Sequence, residues 1–328
     1  MIKFIRSQVG GNARSGQSQG GADGAGKIAA RRRIGAHQGL VGGLAALMVA
    51  GLAILPAAAA SADTQASHFI LTATSANTTG DAVFINNLAT NDEPGALLYV
   101  SPNYDPGGVN GTYDNSPIGV YYDSGSNAWS VFNENGADIP AGASFNVLVE
   151  PAATADAFSV TASSSNSAGD TVFISSGATN SLPNDVLQAT QVYNGALNAI
   201  AAGVYYDSSN SQWGVFNEGS APMVAGTEYN VLVGPAAGGK TEVLKGNKTN
   251  IAAAGGSAVS LGGNATTTGD SNAFILDTPN WDPSGTCGCV YDTSQTGLSY
   301  FPSQWNVFNE TEGVMKPKSD FNLLYWNS

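Results

Sequence analysis

Basic residues are almost missing from most of this 328-residue chain. Arginine does not occur after Arg33, and residues 63–239 hold neither lysine nor arginine. Seven of the twelve Lys and Arg lie before residue 63, against one of the 25 acidic residues, Asp23. Beyond residue 62 that leaves five lysines (Lys240, Lys245, Lys248, Lys316 and Lys318) and 24 carboxylates, a formal net charge of −19. Such a surface repels nucleic-acid phosphates and anionic membranes, which excludes both as partners. No arginine fork is available to clamp a carboxylate or phosphate. Histidine is nearly as scarce. Past residue 62 only His68 remains, and a Ser-His-Asp or Cys-His arrangement would have to run through it. It reads instead as a solvent-exposed residue at a strand edge. Glycoside hydrolysis needs only two carboxylates, but no particular pair is marked out. The chain is therefore read as non-catalytic, with a secreted hydrolase as the last alternative.

Cysteine occurs twice, as Cys287 and Cys289. Two thiolates without nearby histidine cannot make a four-ligand zinc site. In an oxidising compartment the Cys-Gly-Cys spacing predicts a local disulfide, with a redox pair as the alternative. Convincing helical periodicity is also missing after residue 62. The nearest match is Val186–Ala202, through Ala189, Val192, Ala196 and Ile200.

A long apolar run occurs once, from Leu40 to Leu55. Arg31-Arg32-Arg33 precedes it, and Pro56 and an alanine tract ending Ala60-Ser61-Ala62 follow it. This order is that of a secretory signal peptide, cleaved after Ala62. The preceding Met1–Arg33 is Gly/Ser/Gln-rich and basic, a disordered composition. A secreted, extracellular protein is expected, exported by the Sec route, with a twin-arginine route as the alternative. An uncleaved N-terminal anchor is the competing reading, because Leu40–Ala60 is just long enough to span a bilayer.

What the rest of the chain does have is one motif written three times. The first copy reads Gly119-Val120-Tyr121-Tyr122-Asp123, Trp129-Ser130-Val131-Phe132-Asn133-Glu134 and Phe145-Asn146-Val147-Leu148-Val149. The second reads Gly203-Val204-Tyr205-Tyr206-Asp207, Trp213 to Glu218 and Tyr229 to Val233. The third is aligned as Cys289-Val290-Tyr291-Asp292, Trp305 to Glu310 and Phe321 to Tyr325. The Trp lies 16 residues before the Phe or Tyr of the last segment in every copy. A fixed period fixes architecture before any residue is interpreted.

Short aromatic and β-branched segments separated by Gly, Asn, Asp, Pro and Ser predict strands. In the first copy they are Phe69–Thr74, Ala82–Asn86, Ala96–Ser101, Ile118–Asp123, Trp129–Asn133 and Phe145–Glu150. The fold class is all-β: three tandem small antiparallel β-sandwich or barrel-like domains after a disordered N-terminal region and signal peptide. The boundaries are 1–62 for the leader, then 63–152, 153–237 and 238–328. Pro151-Ala152-Ala153 and Pro235 to Gly239 serve as linkers. A period near 85 residues favours tandem domains over one closed ring. Both faces of Trp129–Asn133 carry an apolar side chain, so this strand is expected to be central, with Trp129, Trp213 and Trp305 as core residues.

These motifs resemble an uncharacterised bacterial secreted repeat domain. Its copies read as an Asn-Ile start, Pro-Asn-Trp/Tyr-Asp-Pro-Gly, Gly-Val-x-Tyr-Asp, Trp-x-x-Phe-Asn and Phe-Asn-Val-Leu-Val. The first copy carries Pro102-Asn103-Tyr104-Asp105-Pro106-Gly107, and the third Asn250-Ile251 and Pro279-Asn280-Trp281-Asp282-Pro283. The second lacks that loop. The resemblance covers nearly all of the chain past residue 62 and implies domain identity without an activity.

Two ligand chemistries remain. Asp81, Asp123 and Glu134, with their counterparts in the other copies (Asp170 and Asp270; Asp207 and Asp292; Glu218 and Glu310), offer hard oxygen ligands for Ca²⁺, the one cofactor considered. The alternative is that they cap turns. Tyr104 and Trp281, flanked by Asn103, Asp105, Asn280 and Asp282, have the chemistry to stack on and hydrogen-bond a sugar. The alternative is that they are buried loop anchors. The expected role is structural, adhesive or surface interaction, with glycans, matrix or cell-surface components, or the chain itself as partner. A carbohydrate-binding module is the runner-up. Function is expected where the copies diverge, in Asn103–Gly108, Val186–Ala202 and Asn280–Cys289.

Overall fold

Two-residue alternation along the last strand of each copy decides how the chain packs. Phe145, Val147 and Val149 enter one core, Tyr229 and Val231 a second, and Phe321, Leu323 and Tyr325 a third. The intervening Leu148, Leu232 and Leu324 face the other way, into a fourth core to which all three copies contribute. The computed structural model describes residues 66–109, 111–262, 269–285 and 288–327. The expected leader and signal segment lie outside these residues.

The first copy contains β1 (Ser67–Thr72), β2 (Thr78–Thr79), β3 (Ala82–Phe84), β4 (Leu97–Pro102), β5 (Ile118–Asp123), β6 (Ala128–Asn133) and β7 (Ser144–Glu150). The second contains β8 (Ala157–Thr161), β9 (Ser167–Ala168), β10 (Thr171–Phe173), β11 (Leu187–Val192), β12 (Ala202–Asp207), β13 (Gln212–Asn217) and β14 (Glu228–Val233). The third contains β15 (Lys240–Lys245), α1 (Lys248–Ala253), β16 (Ala258–Ser260), β17 (Phe274–Asp282), β18 (Thr296–Tyr300), β19 (Trp305–Asn309) and β20 (Asp320–Trp326). The expected strands of the first copy coincide with the observed ones to within two residues.

Each copy is a small antiparallel sandwich. In the first, β1-β7-β4 packs on β2-β3-β6-β5, and the others repeat this plan. Strand β6 is paired on both sides and buried on both faces, a central strand as expected. Trp129, Trp213 and Trp305 are buried core residues. Each indole N–H donates to a loop carbonyl, of Glu93, Leu182 and Asp270, at 2.8–2.9 Å. A buried tryptophan needs such a partner. His68 is an exposed residue of the edge strand β1, stacked on Trp326 at 4.8 Å.

The sandwiches do not stand apart like beads, which corrects the reading that set a ring aside. β5 pairs in parallel with β11, and β12 with β17. A parallel bridge from Asn103 to Leu298 joins the end of β4 to β18. The pairing therefore runs first to second, second to third, and third back to first. The described residues form one compact unit, and Ala236 of the second expected linker is buried in the shared core.

Two further readings are corrected. The weak helical match in 186–202 forms no helix, as the lack of convincing periodicity implied; that stretch holds β11 and leads into β12, and the correction is a short helix elsewhere. Among the described residues the α-helix is α1, where Asn247 caps the N-terminus by accepting from Thr249 N and Asn250 N. Second, the third copy's counterpart of Gly-Val-Tyr-Tyr is not Cys289 to Asp292. Pairing with β19 places Gly297, Leu298, Ser299 and Tyr300 where β6 has Gly119, Val120, Tyr121 and Tyr122 as partners. Asp292 instead precedes its strand as Asp114 and Asn198 precede theirs. The Asp81 and Asp170 position is likewise taken by Ser257, not Asp270. Asp81, Asp170 and Ser257 each directly precede the strand that pairs with the Trp strand.

Candidate functional site

The polar residues kept in all copies meet at the three seams. Asn146, Asn230 and Asn322 are buried, and each Nδ2 donates to a strand carbonyl of the preceding copy: Ile275 at 2.7 Å, Leu98 at 3.2 Å and Leu187 at 3.0 Å. One residue type thus clamps each copy to its neighbour. Hydroxyls do the same beside it. Ser101 Oγ accepts from Asp277 N at 2.9 Å, Thr190 Oγ1 from Val100 N at 2.9 Å and Thr278 Oγ1 from Ala189 N at 3.2 Å. Buried polar groups paired this way fix one arrangement, because an unpaired one is costly.

A second device joins the seams through carboxyls. Glu134, Glu218 and Glu310 are buried. Each accepts a backbone N–H from the next copy: Asn198 at 3.3 Å, Asp292 at 2.8 Å and Asp114 at 3.0 Å. Room for each carboxyl comes from a glycine. A Cβ added to Gly119, Gly203 or Gly297 would run into the Oε1 of Glu134, Glu218 or Glu310. This close approach, not a turn, is why the strand motif opens with glycine. Burial pushes Glu134 up to about 7, against a smaller opposing hydrogen bond from Asn198. Burial, then the nearby Asp114 and Asp277 charges, pushes Glu310 up to about 8. Glu218 is raised too, by burial and then by Asp292, with Lys316 opposing. Burial also lifts Asp114 and Asp292 to about 6.

Most of the residues expected to bind ligand are spent on these seams. Asn103 and Asn280 are buried, and each Nδ2 donates to the neighbouring clamp, Asn146 at 2.9 Å and Asn322 at 2.8 Å. Asp105 is buried and accepts from Tyr300 N at 2.7 Å. Asp282 is buried beside Asn280. Tyr104 and Trp281 are half-buried anchors across a seam. Tyr104 lies 5.9 Å from Phe308, and Trp281 lies 5.8 Å from Tyr205 and 6.5 Å from Phe216. The second copy keeps the same anchor as Tyr193, 6.0 Å from Phe132, although the sequence shows no matching loop.

The calcium candidates do not converge. Asp123 is used on its own turn, accepting from Gly125 N at 3.0 Å and Ser126 Oγ at 2.7 Å. Glu134 lies in a seam, and Asp81 precedes β3. Among the described residues no group of three or more His, Cys, Asp or Glu is placed to hold a metal ion. Cys289 is disulfide-bonded, and Cys287 lies outside the described residues.

One seam differs from the others. Where the third copy meets the first, a cleft of about 620 Å³ opens between Tyr104, Asp105 and Tyr113 on one side and Ser299, Phe301 and Asn306 on the other. Tyr104 stacks on Tyr113 at 4.4 Å, and both meet Phe308 edge-on. Tyr113 is 37% exposed and Phe301 72%. Sequence reasoning found Tyr104 and Asp105 but missed Tyr113, Phe301 and Asn306. The available signal was the third copy's departure at Tyr300-Phe301-Pro302, hidden by the shifted alignment of Cys289 to Asp292.

Fold and seams define a class, an all-β repeat protein whose three sandwiches interlock in a ring. A family model described as a domain of unknown function, DUF7452, matches residues 58–128, 119–233 and 203–325. The chain belongs to this family. No curated protein and no solved structure matches it.

Proposed function

We propose that this is an exported, non-catalytic protein with a structural, adhesive or surface-interaction role. The observation that carries the reading is the use of the repeated polar residues. Asn146, Asn230 and Asn322, with Glu134, Glu218 and Glu310, hold copy to copy, so the motif that recurs builds a scaffold rather than three active sites. The net charge past residue 62 disfavours nucleic acid and anionic membrane as partners. Export rests on the basic, apolar and Ala-x-Ala order before residue 63. Among the described residues strands β1, β8 and β15 are each paired on one side, which suits self-association by strand addition. Fractionation of producing cells with N-terminal sequencing tests the core of the reading. A chain starting after Ala62 in the medium or at the cell surface is expected. Recovery from the cytoplasm with Met1 intact, or turnover of a glycoside or ester panel, would overturn it.

A second reading, carbohydrate binding, is favoured by the cleft at the third-to-first seam. It presents exposed aromatic rings beside carboxyl and amide oxygens. Screening the exported chain against immobilised glycans tests it, and no retention on any of them would refute it.

A further inference from the structure

The cleft exists because the third copy departs from the other two at a matched pair of positions. In the first copy Tyr121 faces Ser130 across the strand pair, and its ring lies 5.3 Å from Phe132. In the second Tyr205 faces Gly214, with its ring 5.6 Å from Phe216. In the third the tyrosine is replaced by Ser299, and the small partner by Asn306. Losing the ring leaves space beside Phe308. The amide brings a polar group into that space. Both residues line the cleft.

Asn306 is 3% exposed. Its Nδ2 donates to the carbonyls of Phe301 at 2.6 Å and Gln304 at 3.1 Å, which fixes the amide. Its Oδ1 has no partner. A buried acceptor held rigid and left unpaired is costly, and Asn306 lies where a hydroxyl entering the cleft would offset that cost. Asp105 lines the same space, with Oδ1 accepting from Tyr300 N, and no basic residue does. The cleft thus offers fixed acceptors and aromatic faces but no counter-charge for an anion.

We infer that this cleft binds a neutral sugar, one pyranose ring stacking on an exposed aromatic face while its hydroxyls donate to Asn306 Oδ1 and Asp105. This rests on the carbohydrate reading above and adds the site, the ligand class and the residues that set it. Sugar hydroxyls supply donors to these acceptors, and the C–H face of the ring suits Phe301 and Tyr113. The volume is within the roughly 300–1,000 Å³ of small-ligand sites. A purely apolar ligand would leave Asn306 Oδ1 dry and unpaired. A uronate or sialylated sugar would bring negative charge against Asp105.

Saturation-transfer NMR and calorimetric titration of the full exported chain test the assignment. The probes are gluco-, manno-, galacto- and N-acetylglucosamine-configured oligosaccharides, with oligogalacturonate as the anionic set. Two variants accompany the wild type. Ser299→Tyr restores the ring present in the other copies, and Phe301→Ala removes a side chain too exposed to matter for folding. Binding of a neutral set, weakened about tenfold or more by each variant at unchanged melting temperature, is expected. Neutral-sugar binding that survives Phe301→Ala, and also Ser299→Tyr where that variant folds, would overturn the cleft while leaving the carbohydrate reading standing. Binding of oligogalacturonate alone would overturn the ligand class. No binding of any probe by folded wild type would overturn the carbohydrate reading and this inference with it.

Discussion

Raising the pH should loosen the ring at its seams, and Glu134 is the residue on which to measure it. Its carboxyl is buried against Gly119 and accepts one N–H from Asn198. The corresponding partner at the other two seams is an aspartate, so this seam is the one without a second carboxyl at that position. Gln191 and Tyr229 also face the group, and neither carries charge at neutral pH. Its folded value of about 7 lies above the 4.5 of an exposed glutamate. The folded state therefore holds the proton more tightly, and its stabilisation is fully present below 4.5. That contribution is lost as the pH rises through about 7. At roughly 1.4 kcal/mol per pH unit the interval amounts to about 3 kcal/mol. Urea unfolding followed by tryptophan fluorescence, in steps from acid to mildly alkaline pH, measures it. Glu134→Gln keeps the shape and carries no charge to bury. The variant should track the wild type in acid and exceed it above neutrality by up to about 3 kcal/mol. Wild-type stability that stays flat or rises over that range, or a variant with the same pH dependence as wild type, would refute the reasoning. Glu218 and Glu310 are raised in the same sense and steepen the wild-type loss.

The remaining predictions concern the seams and their coupling. Gly119→Ala, Gly203→Ala and Gly297→Ala each force a Cβ against a seam carboxyl and should cost about 1–3 kcal/mol, read as a lower urea midpoint. An unchanged midpoint would mean the close approach is not needed. Asn230→Ala leaves the Leu98 carbonyl without its donor and should cost about 1–3 kcal/mol, although residue 230 lies in a different copy from residue 98. Because the copies share sheets and a core, calorimetry should show one unfolding transition. Trp213→Ala should lower it as a whole rather than split off the second copy, with a loss of about 3–5 kcal/mol. Three resolved transitions would contradict the interlocked ring.

Local order was readable from residue types, and long-range order was not. Alternation in Phe145 to Val149 announced a strand buried on both faces. It could not say that the face bearing Asn146 and Leu148 is covered by other copies, because side-chain period carries no information about which surface lies opposite. The loop at Asn103 to Asp105 offered good sugar chemistry. In the fold Asn103 is held by Asn146 and Asp105 by Tyr300 N, where β4 runs on to meet β18. The third copy misled for a related reason. Val290-Tyr291-Asp292 matches the motif by residue type, whereas the slot is defined by a carboxyl, Glu310, that needs a bare Cα beside it, and Gly297 supplies one. Seen from that contact, Ser299 falls opposite Asn306, and the cleft becomes predictable from two substitutions.

The bridge between Asn103 and Leu298 also constrains how the molecule comes into being. A ribosome delivers the first copy long before the third. Until residues near 298–310 emerge, Asp114 has no glutamate at its backbone N–H and Tyr104 has no Phe308 to rest on. The first sandwich must wait, with one flank bare, for the last strands to arrive. Full stability is thus a property of the finished chain. It also sets the copy number, since a fourth unit inserted into the series would have to break the contact that joins the last copy to the first.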